Sequence, residues 1–130
     1  MANAEQRNKA TARRALEEIC SGNDVESADQ CYHSEFDDHV NAIDFHSMEG
    51  IQQSVALYRQ MFSDLVIRTE DQVAEGDRVA SRWKMLGTRD GREVGFTGVT
   101  ISRLEDGRIR EDWTYFDSAE LVKQLEETPA

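Results

Sequence analysis

A chain of 130 residues can bury one apolar core but is too short to carry a separate cofactor domain, so one compact unit has to supply both fold and function. Its 26 acidic against 15 basic residues leave a formal net charge of -11, which repels phosphate backbones and anionic lipid surfaces and argues against nucleic-acid and membrane partners. No apolar run approaches the roughly 20 residues of a membrane span, and the first fifteen or so positions carry charges where a signal peptide needs an apolar core, so a cytoplasmic protein is expected.

Ala12, Leu16, Ile19 and Cys20 recur at helical spacing and Gly22 follows as a terminator, which predicts a first helix over about residues 4 to 21. Asn23 and Glu26 have capping-box spacing, and Val25, Ala28 and Tyr32 form the stripe of a second, shorter helix. The segment Phe36 to Asn41 alternates weakly, as a short edge strand would. Ile51, Val55, Tyr58 and Phe62 mark a third helix from about Ser47. From Leu65 the apolar period changes to two, predicting strands over Leu65 to Ala74, Arg78 to Thr88, Glu93 to Leu104 and Arg108 to Phe116. Glu75-Gly76-Asp77 and two Asp-Gly pairs, Asp90-Gly91 and Asp106-Gly107, separate them as tight turns, so an antiparallel meander is expected. Asp117, three residues before Glu120, opens a short amphipathic helix through Leu121, Val122 and Leu125. Helices followed by hairpin-linked strands give an α+β domain with helices on one sheet face. No linker or repeat divides the chain, whose single proline is Pro129, so one domain is expected over residues 1–130.

The last strand carries the most suggestive chemistry. Strict alternation puts Trp113, Tyr115 and Asp117 on one face, where desolvation would raise the acid toward the range of a general base. The same Asp117 is equally placed to cap the final helix. Trp83 shares a face with Val79, Ser81 and Met85, suited either to a flat apolar ligand or to the core, while Arg82 and Lys84 point the opposite way. Tyr32 completes the candidate ligand contacts. His33, His39 and His46 lie among Asp37, Asp38 and Asp44 at spacings that match no established metal site, so no metal is expected. Cys20 and Cys31 are expected as reduced thiols without a histidine partner, and no Gly-rich phosphate loop is present.

In order and spacing, Asp38-His39, Gly50, Glu75-Gly76-Asp77-Arg78-Val79, Arg82, Gly87-Thr88, Gly107-Arg108-Ile109, Glu111, Trp113 and Asp117 resemble the SnoaL-like polyketide cyclases of the nuclear transport factor 2-like superfamily, from about Ala10 to Leu125. The resemblance implies a cone-shaped curved antiparallel sheet with three N-terminal helices packed on its concave face, a short C-terminal helix, and a homodimer formed through the outer sheet face. It also implies cofactor-free chemistry on an apolar, carbonyl-bearing, polycyclic small molecule. An aspartate near the end of the last strand, matched here by Asp117, would remove a proton from carbon, and the carbanion would close a ring by aldol attack. The resemblance further puts His39 near the pocket as a donor to an enolate. Asp38 is an alternative base by likeness to the ketosteroid isomerases of the same superfamily. Two other readings stay open: a non-catalytic carrier of the same fold, and a hydrolase or dehydratase using Asp38 and His39. Epoxide opening is disfavoured because Arg82-Trp83-Lys84 lacks a nearby Arg-x-Asp.

Overall fold

The computed structural model describes residues 3–126, so Pro129 and both extreme ends of the expected 1–130 unit lie outside the described residues. Helix α1 (Ala4–Arg14) starts at an Asn3 capping box closed by Gln6 and runs on into a π-helical turn, Ala15–Cys20. A 3-10 turn (Val25–Ser27) leads into α2 (Ala28–Cys31), but Asn23 does not cap it. Instead the Asn23 side chain accepts from Arg59 on α3 (Ser47–Met61). Strands β3 (Ser63–Glu75), β4 (Arg78–Arg89), β5 (Arg92–Glu105) and β6 (Arg108–Phe116) form the expected antiparallel meander, and α4 (Ser118–Glu126) closes the chain. Asp90, Gly91, Asp106 and Gly107 all have positive φ, the conformation that two-residue hairpin turns of this hand require.

The first half holds more sheet than its weak alternation suggests. Strand β1 (Tyr32–Val40) begins four residues before the expected edge strand, and β2 (Ile43–His46) was not foreseen. The sheet order is β2-β1-β6-β5-β4-β3, with β1 parallel to β6, so the sheet is mixed and its edge is β2 rather than β1. Helix α1 packs over β3 and β4, and α3 over β1 and β2, covering the inner face of an α+β cone.

Two breaks in strand register shape that inner face. Opposite β4, Thr69 pairs with Trp83 and Asp71 with Arg82, leaving Glu70 as an extra residue. In β6, Ile109 pairs with Leu104 but Glu111 with Arg103, so Arg110 is a bulge, tied to β1 through the Glu35 carbonyl and Asp37. Beyond that bulge the alternation is reversed: Asp112, Thr114 and Phe116 face inward, and Glu111, Trp113 and Tyr115 outward.

Trp83 lies flat across β5 because Gly98 has no side chain. A Cβ there would stand 2.5 Å from the indole and 2.8 Å from the Tyr115 carbonyl oxygen. Gly98→Ala is therefore expected to destabilise the fold by about 1–3 kcal/mol through overpacking, measurable by urea unfolding.

Candidate active site

Burial on the inner face is apolar over most of the cone: Leu16, Phe62, Leu65, Ile67, Trp83, Met85, Val94, Phe96 and Leu121 form one cluster. Against it, β1 and β6 present two acids. Asp38 and Asp112 are register partners on adjacent parallel strands, roughly 5 Å apart at their backbones. They line a cavity of about 40 Å³ together with Cys20, Trp83, Thr100 and Thr114. The cavity shares Val40, Ser54 and Tyr58 as walls with an apolar depression of about 340 Å³ bounded by Ile43, Leu57, Met61, Phe116 and Leu121. Ile43 and Leu57 stay exposed at its rim. A larger depression of about 580 Å³ at the opposite, turn end of the sheet has, among the described residues, only Asp77 and Asp106 as acids, both exposed at hairpin tips, so the smaller cavity is the candidate site.

Both carboxyls are under electrostatic stress. One oxygen of each, Oδ1, is sealed from solvent and has no hydrogen-bond partner among the described residues. Although the Asp38 residue keeps some accessible surface, burial of its carboxyl raises its pKa from 3.8 to about 7; the positive charge of His39 pulls against the rise and the negative charge of Asp44 adds to it. Asp112 is 6% exposed, and burial, reinforced by the charge of Asp38, holds its pKa well above the ordinary range despite help from Ser102, its neighbour on β5. Two like charges in one apolar site cannot both ionise cheaply, so the pair shares protons. Burial is more complete at Asp112, so of the two carboxyls it holds its proton more firmly, while Asp38 is divided between its two forms near neutral pH.

A hydrogen-bonded chain flanks the acids. The Trp83 indole N–H donates to Thr100 Oγ1 at 2.9 Å, and Thr100 Oγ1 lies 2.9 Å from Thr114 Oγ1. Cys20 is brought to the cavity by the π-helical turn, with its Sγ 3.3 Å from the Tyr32 hydroxyl. Burial pushes that thiol up to about 12, so it is an inert wall rather than a nucleophile.

The other expected site residues fall elsewhere. Asp117 is exposed and its Oδ1 accepts the Glu120 backbone N–H at 2.9 Å, so it stands as the cap of α4, outside the buried cavity. Trp113 lies on the outer face under the Arg78 guanidinium, 5.3 Å from the ring centroid, and Tyr115 is 57% exposed there. The Arg110 bulge is the physical reason, since it turns the whole Trp113-Tyr115-Asp117 face outward. Tyr32 is 2% exposed, packed on Phe36 beneath the cavity, and reaches it only through Cys20. His39 is on the outer face too, stacked on Trp113, with Nδ1 2.8 Å from Asp44 and Nε2 2.7 Å from Glu111. Those two carboxylates raise its pKa, Asp44 first. A hydrolase or dehydratase built on Asp38 and His39 is not assembled, because adjacent residues of one strand point to opposite faces. Trp83 and Asp38 do line the cavity.

Sequence reasoning missed Asp112, Thr100 and Thr114. The signal available was the polar content of strands that otherwise bury apolar residues: Thr100 and Ser102 on β5 and Asp112 on β6 are all buried.

The SnoaL-like polyketide cyclase family profile matches residues 10–125. Among solved structures, a putative SnoaL-like polyketide cyclase from Jannaschia sp. CCS1 superposes with a TM-score of 0.86 at 19% identity, covering 99% of this chain and 98% of that one. A putative polyketide cyclase from Bacillus cereus ATCC 10987 gives 0.85 at 24% identity, over 96% and 85% of the two chains. IdmH, a putative polyketide cyclase from Streptomyces antibioticus, gives 0.77 at 27% identity, over 92% and 99%. No curated protein matches the chain. With the profile spanning nearly the whole length and the cone fold shared by these neighbours, the chain belongs to the SnoaL-like polyketide cyclase family.

Proposed function

We propose that the protein abstracts a proton from a carbon next to a carbonyl in an apolar, ring-bearing small molecule, with Asp38 as the base, and that intramolecular aldol closure or isomerisation follows. The observation that carries this reading is the register-matched pair Asp38 and Asp112 at the end of an apolar cavity, each with one sealed and unsatisfied oxygen. The ionised Asp38 takes the α-proton, and the C–H electron pair delocalises onto the carbonyl oxygen. The enolate carbon then forms a C–C bond to a second carbonyl of the same molecule, and the alkoxide that results takes up the proton Asp38 removed. Protonated Asp112 is a hydrogen-bond donor in a dry site, where such a donor stabilises developing negative charge most. Atoms and charge balance with no metal or organic cofactor.

The cavity dimensions support a substrate of particular shape. An inner space of about 40 Å³ admits only a slim reacting edge, while the adjoining 340 Å³ takes an apolar body against Met61, Phe116 and Leu121. The proposal includes a cytoplasmic setting and a homodimer closed over the outer sheet face, where Val73, Val99 and Tyr115 are exposed. Sedimentation of the intact chain at twice the monomer mass is the expected result.

The proposal is tested without a substrate by carbon-detected NMR titration of the aspartate carboxyls, with Asp38→Asn to assign the signal. The Asp38 resonance is expected to titrate with a midpoint near 7. A midpoint at the free-aspartate value of about 3.9 would remove the base from this site.

A further inference from the structure

We infer that Thr114 is a second donor to the reacting oxygen, aimed by Trp83 through Thr100, and that the site therefore takes ketones whose carbonyl oxygen, as well as their α-carbon, enters the inner cavity. The inference deepens the reading of Asp38 as base and rests on it for the identity of the reacting oxygen.

The direction of the chain follows from what each group can do. An indole N–H only donates, so Trp83 fixes one lone pair of Thr100 Oγ1. Were Thr114 the donor to Thr100, the Thr100 hydroxyl hydrogen, in a residue 2% exposed, would have no acceptor among the described residues. The satisfied arrangement has Thr100 donating to Thr114. The Thr114 hydrogen is then the free end of a chain running one way from Trp83, and each link polarises the next. That end is at the cavity wall shared with Asp38 and Asp112.

Position agrees with direction. Asp112 and Thr114 share the inner face of β6 two residues apart, about 7 Å along the strand, with Asp38 beside Asp112 and Val40 beside Thr114. An α-carbon and its carbonyl oxygen, with a contact at either end, span about that distance. The α-proton then meets Asp38 while the oxygen meets Thr114. The chain is also held rigid: Trp83 is locked against β5 by Gly98 and packs edge-on to Phe96 at 5.9 Å, so its N–H cannot swing away. Donors fixed before the charge develops are the ones that accelerate enolate formation. Thr114 would touch the substrate. Thr100 and Trp83 are positioning residues.

The test compares Thr114→Val with Thr114→Ser, and adds Thr100→Val and Trp83→Phe. Two readouts are used: deuterium exchange at C2 of 1-tetralone by proton NMR, and calorimetric binding of 1-naphthol, its flat hydroxyl-bearing counterpart, against naphthalene. Thr114→Val is expected to lower the exchange kcat about 10- to 100-fold with KM nearly unchanged, and to weaken 1-naphthol about 10-fold. Naphthalene affinity should hold, and Thr114→Ser should restore most of both losses. Thr100→Val and Trp83→Phe should each reproduce part of the kcat loss, again with KM nearly unchanged.

The inference is overturned if Thr114→Val behaves as wild type, if it weakens naphthalene as much as naphthol, or if the wild-type protein shows no preference for naphthol. Asp38→Asn separates the two readings. It should slow exchange by about 10²-fold or more while keeping the Thr114-dependent preference for naphthol; exchange that is unaffected by Asp38→Asn but lost in Thr114→Val would sink the base and leave the donor standing.

Discussion

Replacing Asp38 by Asn is expected to slow C2 exchange of 1-tetralone by about 10²- to 10⁴-fold, the usual worth of a positioned general base. The substitution keeps the size and shape of the side chain and removes only its capacity to hold a proton at the cavity end of β1. Asp117→Ala supplies the contrast. It deletes the cap bond to Glu120 and should cost about 1 kcal/mol of stability, with turnover close to wild type, because that carboxylate is exposed outside the buried cavity. Turnover that falls with Asp117 and survives without Asp38 would reverse the assignment. The pH profile checks the same point in the unmodified protein. Asp38 must be ionised to act, so the rate should climb with pH through about 7 and decline at higher pH as Asp112 loses the proton it donates.

The second half of the fold was legible because its signals are local. Asp90-Gly91 and Asp106-Gly107 write their turn geometry into two residues each, and Val79, Ser81, Trp83 and Met85 alternate without interruption, so β4 and its inner face follow from the sequence. The site was legible only in part because one residue, Arg110, carries non-local information. Nothing in Ile109-Arg110-Glu111-Asp112 states that Arg110 will be drawn toward β1 by the Glu35 carbonyl and Asp37. Reading the strand without that slip turns Asp112 outward and Asp117 inward. Strand β1 posed a related difficulty. Its neighbour is β6, reached after more than half the chain, and a parallel partner that distant leaves no turn signal beside either strand. An acid near the end of the chain flanked by aromatics was visible in the sequence; the Arg110 bulge turns that face outward and brings Asp112 to the cavity instead.

Asp38→Asn is also expected to stabilise the fold at alkaline pH, by up to about 4 kcal/mol at pH 8, while matching the wild-type protein near pH 4. The unfolded Asp38 carboxyl releases its proton near 3.9, and the folded one near 7. Between those values the folded state holds a proton the unfolded state lacks, so stability falls as pH rises, by about 1.4 kcal/mol per pH unit. Asp112, displaced in the same direction, adds to the fall. His39 adds to it: its folded pKa is raised, so the stability it contributes is present below about 6.5 and lost as pH climbs through the folded value. Glu111, Asp37 and Asp71 work in the opposite sense, since their lowered values give stability above about 4 that is lost only in stronger acid. The wild-type protein should therefore be most stable near about pH 4, where the two trends cross, and weaken steadily toward pH 8. Urea unfolding at one-unit steps separates the sources: His39→Gln should leave most of the slope, and Asp38→Asn should remove a large share of it. An Asp38→Asn protein less stable than wild type at pH 8, with the slope intact, would mean that the carboxylate is ionised and well partnered in the fold. A gain in stability coupled to a loss of turnover would mean that the fold tolerates a buried, poorly satisfied acid for the sake of a proton acceptor in an apolar site.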